Sequence, residues 1–168
     1  MIVLGIDPGT AATGYGVVSD NSGEPRGSLS LIECGVIRTA PRDALSVRLL
    51  GIYDEVRAII VRHKPDALSI EDVFYAKNVR TTVVLGHARG VVLLAAQQQG
   101  MSIAEYPPAE IKKAVVGAGA ATKEQVQFMV ARLLRLKSAP QPNDAADGVA
   151  AALALLLTWR APALERVP

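Results

Sequence analysis

Cysteine, histidine and aromatic residues are scarce in this chain of 168 residues. There is one cysteine, Cys34, there are two histidines, and Phe, Trp and Tyr together make up 4% of the residues. One cysteine excludes a disulfide within the chain and fits a reducing compartment. Zinc prefers thiol and imidazole ligands, so a zinc site is a poor expectation. Any metal chemistry should therefore depend on oxygen ligands, and we expect the protein in the cytoplasm.

Long apolar runs are missing as well. The longest strongly apolar stretch, Val149 to Trp159, is shorter than the ~20 residues that a membrane span needs. No basic residues precede the apolar start of the chain, as they would in a signal peptide. The net charge is only +2, and half of the residues are hydrophobic, which is typical of soluble globular proteins. The length suits one domain, which we expect over residues 1–160, with a loose tail over 161–168.

The pattern of apolar residues predicts strands in the first part of the chain. Short β-branched runs predict strands over 2–7, 13–19 and 28–39. Asp-Pro-Gly-Thr at 7–10 is typical of a type II turn, which would join the first two strands in a hairpin.

Helices dominate the later part. Apolar residues at three- and four-residue steps from Asp43 to the residues before Pro65 predict an amphipathic helix. Thr122 and Gln125 have the spacing of a capping box at the start of another. The further predicted elements are a strand over 67–71, a helix over 82–99, a strand over 102–105, a brief helix after Pro108, a helix over 122–136 and a last helix over 143–159. Strands followed by alternating helix and strand predict an α/β fold with a mixed central sheet flanked by helices.

Carboxylates stand at the ends of two predicted strands and at the start of the last helix. Asp7 ends the first strand, and Glu71 and Asp72 end a later one. Since side chains alternate between the faces of a strand, only one of Glu71 and Asp72 can join Asp7. Asp144 and Asp147 are three residues apart and share a helical face. A solvated strand end or an acid favoured by the helix dipole would explain most of these residues singly. Asp147 is harder to explain, because the helix beyond it is apolar nearly all round.

A cluster of these acids would need positive charge. No arginine or lysine lies beside them in sequence, so a divalent metal is the natural neutraliser, and oxygen ligands suit Mg²⁺ or Mn²⁺. Two such ions about 4 Å apart can activate water and stabilise the leaving oxygen of a phosphodiester. We therefore predict that Asp7 is a metal ligand.

Five segments carry a resemblance to a known family. They are G-I-D-P-G-T-A-A-T-G-Y-G-V-V, I-E-D-V-F-Y-A-K-N, G-H-A-R-G-V-V, K-K-A-V-V-G-A-G-A-A-T-K-E-Q-V-Q and N-D-A-A-D-G-V-A-A-A-L. Together they closely resemble the RuvC-type Holliday-junction resolvases, in order and over residues 2 to about 158. The resemblance implies a ribonuclease H-like fold, a homodimer, and Mg²⁺-dependent paired nicking of four-way DNA junctions in recombination and repair. It also implies contacts with the RuvA-RuvB branch-migration complex.

The resemblance also assigns residues. It implies that two metal ions are held by the catalytic acids Asp7, Glu71, Asp144 and Asp147, which selects Glu71 over Asp72. The division of roles between Asp144 and Asp147 stays open. The apolar helix over 82–99 could form the dimer surface or could belong to the domain core.

Contacts with DNA are expected from an aromatic residue and from several polar ones. Phe74 could be a core residue, but the resemblance implies a wedge that stacks on unpaired bases at the junction centre. Lys77, Asn78 and Arg80 are candidates for contacts with phosphates. The resemblance implies that Lys112 and Lys123 contact DNA near the active site. His63 and His87 lie on predicted helices away from the acids and are expected to be structural or surface residues. No sharp role follows for Arg89 or Tyr106.

Three other functions share part of this pattern. An RNA-acting enzyme of the YqgF-like group would share the acids, although the segments around Phe74 and Lys112 favour the resolvase. An actin-like or sugar-kinase-like ATPase has a similar G-I-D-P-G-T loop, but 168 residues leave no room for the second domain that it needs. A junction-binding protein without catalysis would not need all four carboxylates.

Overall fold

Ten strands and helices follow one another in the computed structural model, which describes residues 1–21, 28–72 and 79–160. They are β1 (Ile2–Asp7), β2 (Ala12–Asp20), β3 (Leu29–Arg38), α1 (Leu45–His63), β4 (Ala67–Glu71), α2 (Val79–Gln98), β5 (Ser102–Tyr106), α3 (Pro108–Val116), α4 (Lys123–Leu133) and α5 (Asn143–Arg160). The tail predicted over 161–168 lies outside the described residues.

The five strands form one mixed sheet in the order β3-β2-β1-β4-β5. β2 runs antiparallel to both β1 and β3, whereas β4 runs parallel to β1, and β5 parallel to β4. Helix α1 makes the crossover that a parallel neighbour requires. Because parallel strands end at the same edge of a sheet, the C-terminal ends of β1 and β4 lie side by side. The predicted mixed sheet flanked by helices is confirmed.

Helices cover both faces of the sheet. α5 packs on one face together with α3 and α4, and α1 and α2 pack on the other. Successive residues of a strand point to opposite faces, so Val3 of β1 joins the α5 side while Leu4 and Ile6 join the α1–α2 side. All three side chains are fully buried, and burial of each contributes about 1.5–3 kcal/mol.

Helix α5 lies closer to the sheet than side chains at the contact would allow. A Cβ atom on Gly14 of β2 would lie 1.8 Å from the carbonyl oxygen of Asp144. One on Gly148 of α5 would lie 2.5 Å from the Cα atom of Tyr15, and Gly5 of β1 meets α5 in the same way. The neighbouring atoms are backbone atoms, which cannot rotate away. These glycines therefore set the distance of α5 from β1 and β2.

The loop after β1 differs from the predicted type II turn. Gly9 does not take the positive φ that the third position of such a turn requires. The Thr13 hydroxyl donates instead to the Gly9 carbonyl oxygen at 2.5 Å and accepts from the Gly9 N–H at 3.4 Å. A Cβ atom on Gly9 would lie 2.1 Å from the Ala12 carbonyl oxygen. Glycine is thus needed here for close approach.

Two helix boundaries differ from the prediction by three residues. α2 is already helical at Val79, three residues before the predicted start. α4 ends at Leu133 rather than at 136, since Arg135 takes a φ of 55°, which a right-handed helix does not accommodate.

The predicted capping box of α4 is confirmed. The Thr122 Oγ1 atom accepts a hydrogen bond from the Gln125 N–H at 3.3 Å. The Gln125 Oε1 atom accepts one from the Thr122 N–H at 2.8 Å. Two donors at the helix start are therefore satisfied reciprocally.

Candidate active site

Four carboxylates approach one another where β1, β4 and α5 meet. Asp7 is the last residue of β1 and Glu71 the last of β4, and these strands are parallel neighbours. Asp144 and Asp147 lie near the start of α5. Asp7 pairs with Gly14 in the β1–β2 ladder, and the Asp144 backbone lies directly over Gly14. The glycine contact thus brings the start of α5 to the end of β1.

The acids lie close enough to share a ligand. Carboxylate oxygens of Asp7, Asp144 and Asp147 all lie within 4.8 Å of one another. Glu71 lines the same cavity as Asp7 and Asp147, and its charge acts on Asp7, so all four predicted acids meet in one place. A cavity of about 170 Å³ opens beside them. Its lining consists of Asp7, Glu71, Pro108, Ile111, Lys112, Lys123, Val126, Asp147 and Ala150.

Burial and mutual repulsion oppose ionisation of this cluster. Burial raises the pKa of Asp7 to about 8, and the neighbouring carboxylates act in the same direction while Lys123 opposes them. Burial and the charge of Asp147 also raise the pKa of Glu71, against a hydrogen bond with Asp7. A divalent cation among these oxygens would favour the ionised form of both carboxylates.

The donor set fits such a cation. The four acids offer only oxygen ligands, and no thiol or imidazole is present among the described residues that line the cavity. Hard oxygen donors suit Mg²⁺ and Mn²⁺ rather than zinc. The residues present therefore fit a hard divalent metal.

The structure places a positive charge directly against one of the acids. The Lys123 Nζ atom lies 3.0 Å from Asp147 Oδ2, and this hydrogen bond raises the pKa of Lys123. Lys112 of α3 lines the same cavity. No arginine or lysine is a sequence neighbour of the acids, but the fold brings these two lysines to the cavity, near the acids as the resemblance implies. The contacts of Lys112 and Lys123 with DNA remain a prediction.

Glu71 and Asp72 point to opposite faces of the sheet, as strand alternation predicts. Glu71 lines the cavity on the α5 face of the sheet. Ser69, two residues earlier, points to the same face, where its hydroxyl donates to a backbone carbonyl of α5 at 2.6 Å. Asp72 lies on the α2 side, where its Oδ1 atom is 3.4 Å from Nη2 of Arg89. The structure thus brings Glu71, and not Asp72, to the other acids.

Small polar side chains hold the loop that follows Asp7, and no sequence pattern beyond their residue types pointed to this role. Thr13 is fully buried and closes the start of the loop through Gly9. The Thr39 hydroxyl donates to the Thr10 carbonyl oxygen and accepts from Nε of Arg48 at 3.0 Å. These bonds tie the loop to β2, to the end of β3 and to α1.

The other residues singled out from the sequence do not line the cavity or fall outside the described residues. Phe74, Lys77 and Asn78 fall in 73–78, outside the described residues, and Arg80 lies in the exposed first turn of α2. His63 Nε2 is 2.8 Å from Glu33 Oε2. His87 Nδ1 is 2.7 Å from a backbone carbonyl of its own helix.

Comparisons with known proteins agree on one family. A family model described as crossover junction endodeoxyribonuclease RuvC matches residues 3–155. A crossover junction endodeoxyribonuclease RuvC from Syntrophomonas wolfei is 44% identical over 160 residues, which cover 95% of this chain and 91% of that protein. The structure of Thermus thermophilus RuvC is similar with a TM-score of 0.87 and 35% identity, covering 95% of this chain and 96% of that one. T. thermophilus RuvC in complex with Holliday junction substrate has a TM-score of 0.85 and 32% identity, with the same coverage.

Proposed function

The chain belongs to the RuvC family of crossover junction endodeoxyribonucleases, and from this membership we propose that its acidic cavity is where it cuts four-way DNA junctions. The protein is a nuclease that resolves Holliday junctions in DNA recombination and repair, and its α/β fold is ribonuclease H-like. One observation carries the placement of the chemistry. Carboxylates from β1, β4 and α5 converge beside one cavity that two lysines also line.

We propose Mg²⁺ as the cofactor, with Mn²⁺ as a substitute and two ions in each site. Asp7, Glu71, Asp144 and Asp147 would hold them, as the oxygen-only donor set and the raised pKa of Asp7 support. When bound, such ions supply the positive charge that activates water and stabilises the leaving oxygen of a phosphodiester. Asp147 lines the cavity and forms an ion pair with Lys123. Asp144 is close to Asp7 and Asp147 but is not among the residues that line the cavity.

The lysines act on the substrate in this proposal. Lys112 of α3 and Lys123 of α4 line the same cavity as the acids. Ammonium groups there can contact phosphate oxygens of a bound strand and offset the charge that develops on the phosphate. Without DNA the Lys123 ammonium is paired with Asp147, and with a bound strand it would pair with a phosphate instead. Its charge would therefore be paired in the free and in the bound protein. The apolar side chains of Ile111 and Val126 limit the access of bulk water.

We also propose that two copies associate through α2. Five residues recur on one face of this helix and form what we call the α2 stripe: Val79, Val83, Gly86, Gly90 and Leu94. The three apolar side chains are 77%, 52% and 52% exposed, and a Cβ atom on either glycine would meet nothing within 4 Å.

Hydropathy supports this surface. Among the described residues, α2 is the one helix that is long and apolar enough to cross a membrane, with a mean hydropathy of 1.3. A single such helix is weak evidence for a membrane span. Only 22% of its most apolar segment is buried. An apolar helix left this open suits a second copy of the chain. A two-fold contact would present two cavities to the two symmetry-related strands of a junction, so paired nicks follow from geometry.

The remaining assignments extend this proposal. Residues 1–160 would form one nuclease domain, and Phe74 would stack on bases at the junction centre, with Lys77, Asn78 and Arg80 on nearby phosphates. Family membership supports action in the cytoplasm beside the RuvA-RuvB branch-migration complex.

Cleavage of a synthetic four-way DNA junction tests the function. We expect paired nicks that require Mg²⁺, with no cutting of a plain DNA duplex or of a structured RNA of the same length. The RNA arm distinguishes the YqgF-like alternative, and an ATP hydrolysis assay distinguishes the kinase-like one. If the protein cleaves the RNA and leaves the DNA junction uncut, the proposal is overturned.

A further inference from the structure

Arg89 of α2 is a largely buried charge that the cavity does not use. Its side chain is 20% exposed and forms ion pairs with Glu105 of β5 and with Asp72, whose Oδ1 atom is 3.4 Å from Nη2. Among the described residues, its Nε atom is the buried side-chain nitrogen or oxygen that has no hydrogen-bond partner. A buried guanidinium between two carboxylates on different segments calls for an explanation, since one apolar residue would pack as well.

Its position relative to the sheet suggests one. Glu105 is in register with Ile70, and Ile70 belongs to the core on the α1–α2 side. Asp72 is two residues beyond Ile70 and points to the same face. Glu71, between them, points to the opposite face and into the acidic cavity. Arg89 therefore lies directly behind Glu71, on the other side of the sheet.

Asp72 is held at two points. Its backbone N–H donates to the Tyr106 carbonyl oxygen at 2.8 Å, which extends the β4–β5 ladder by one residue past Glu71. Its side chain is held by Arg89. Glu71 needs such support because Asp7 and Asp147 stand close to it with charge of the same sign, and repulsion within the cluster favours spreading of the strand ends.

We propose that Arg89 is a positioning residue for the metal site: by joining Asp72 to Glu105 behind the sheet, it fixes the end of β4 and with it the Glu71 carboxylate. This inference rests on the proposed function, because it takes Glu71 as a metal ligand. The planar guanidinium presents several donors at once and can hold two carboxylates together. A lysine can reach one of them well but does not bridge both in a fixed geometry.

Binding of Mn²⁺ to the DNA-free protein, measured by electron paramagnetic resonance, is the direct test. We expect Arg89→Met to weaken Mn²⁺ binding about 10-fold or more, the range seen when groups that orient metal ligands are removed. Arg89→Lys should restore part of the affinity. Arg57→Met, which removes an exposed arginine of α1, should bind Mn²⁺ like the wild type.

Two further measurements separate positioning from general stability. The Mg²⁺ concentration that half-saturates junction cleavage should rise in Arg89→Met by the same factor as the Mn²⁺ dissociation constant. Junction binding without divalent metal, measured by gel shift, should stay unchanged. A folded Arg89→Met protein with wild-type Mn²⁺ affinity would overturn the inference.

Failure of the Arg89 inference can be distinguished from failure of the proposed function. If thermal unfolding shows that Arg89→Met does not fold, Asp72→Asn is measured in its place. This variant removes one ion pair with little change of shape. An unchanged Mn²⁺ affinity of Asp72→Asn would then overturn the inference. A wild-type protein that neither binds Mn²⁺ nor cuts junctions would refute the proposed function itself, whatever the Arg89 variants do.

Discussion

At Asp7, burial and the neighbouring carboxylates act together against ionisation, which is why the pKa of this residue rises to about 8. The same crowding of carboxylates that disfavours the negative charge of Asp7 makes that charge favourable beside a divalent cation. Asp7 also has a fixed place, because it ends β1 in register with Gly14 and precedes a loop that Thr13 holds.

Asp7→Asn separates binding from chemistry. The amide keeps the shape of the side chain and removes its charge, so we expect Mg²⁺-dependent cleavage of a four-way junction to fall at least about 100-fold, the upper range for loss of a group that only supports a metal ligand. Gel shifts without divalent metal should show junction binding retained. The metal-free variant should unfold at a denaturant concentration no lower than the wild type at pH 7, because the Asp7 carboxyl, whose pKa is raised in the folded protein, must take up a proton on folding and the amide need not.

The matched control for this variant is Asp54→Asn, at an exposed position of α1, which should cut like the wild type. An Asp7→Asn protein that still cuts at the wild-type rate would remove the basis for the metal site.

Glu33 on β3 shows the opposite electrostatic situation. It accepts hydrogen bonds from the Tyr15 hydroxyl at 2.8 Å and from Nη2 of Arg62 at 2.6 Å, and His63 Nε2 lies 2.8 Å from its Oε2 atom. Desolvation, the largest single influence, raises the pKa of Glu33, but the three hydrogen bonds together outweigh it and lower the pKa to about 2. The native state thus binds fewer protons here than the unfolded chain does.

This sign gives a pH-dependent prediction. A carboxylate whose pKa is lower in the folded state stabilises the fold above its unfolded value of 4.5 and loses that contribution as the pH falls through about 2. We expect Glu33→Gln to lower the free energy of unfolding at pH 7 by about 1 kcal/mol, a small value because water screens a partly exposed group.

Urea unfolding across pH 7 to 3 measures this effect. The difference between Glu33→Gln and wild type should shrink as the pH falls below 4.5. Glu110→Gln, at an exposed position of α3, serves as the control. A difference that stays constant over this range would show that Glu33 acts through packing rather than charge.

At the scale of single elements, α5 decides the geometry of the site. It supplies Asp144 and Asp147, and its distance from β1 and β2 is set by glycines on both sides of the contact. The helix is buried along much of its length, so it cannot tilt freely to bring its acids closer to Asp7.

Gly148→Ala should therefore reduce both stability and activity. The added Cβ atom would lie 2.5 Å from the Tyr15 Cα atom, which forces α5 outward and costs about 1–3 kcal/mol, as overpacking of a core does. The start of α5 moves with it, so cleavage should fall more than the loss of folded protein explains. Chemical denaturation and junction cleavage on the same samples measure the two effects.

Gly51→Ala is the matched control, since this helical glycine of α1 has nothing within 4 Å of its added Cβ atom. Alanine there should stabilise the protein by about 0.5–1 kcal/mol, because it restricts the unfolded chain and favours helix. If Gly148→Ala proves as stable and as active as Gly51→Ala, the close contact of α5 does not control the site.

At the scale of the whole molecule, the sheet separates the acidic cavity from the α2 stripe. The α5 side holds the acids and lysines of the cavity, and the α1–α2 side carries the exposed α2 stripe. A second copy on the α2 side would leave the cavity of each copy accessible to DNA.

Val83→Glu tests the α2 stripe. A carboxylate in the centre of an apolar two-fold contact faces its own copy and repels it, so we expect the dimer to dissociate at micromolar concentrations in sedimentation velocity experiments. Phe128→Glu, at a 62% exposed position of α4 on the other layer, should stay dimeric. On four-way junctions, Val83→Glu should yield single nicks in place of paired ones. A Val83→Glu protein that remains a dimer would place the contact elsewhere.

Local rules determined much of this protein from its sequence. The runs that became β1, β4 and α5 end or begin at carboxylates, and the spacing of Thr122 and Gln125 predicted a capping box that is present. Strand alternation and helical periodicity depend on the nearest few residues, so a single chain reveals them. The type II turn failed because a side chain outside the four residues, Thr13, holds the loop.

Only the tertiary structure decided which charges meet. Lys123 is 24 residues from Asp147 in sequence, yet bonds to it, and Arg89 reaches Asp72 and Glu105 from a separate helix. Strand alternation left Glu71 and Asp72 as equals until the helices on each face were placed. Such contacts depend on how elements pack, and packing distances, here set by glycines under α5, do not follow from any local pattern of residues.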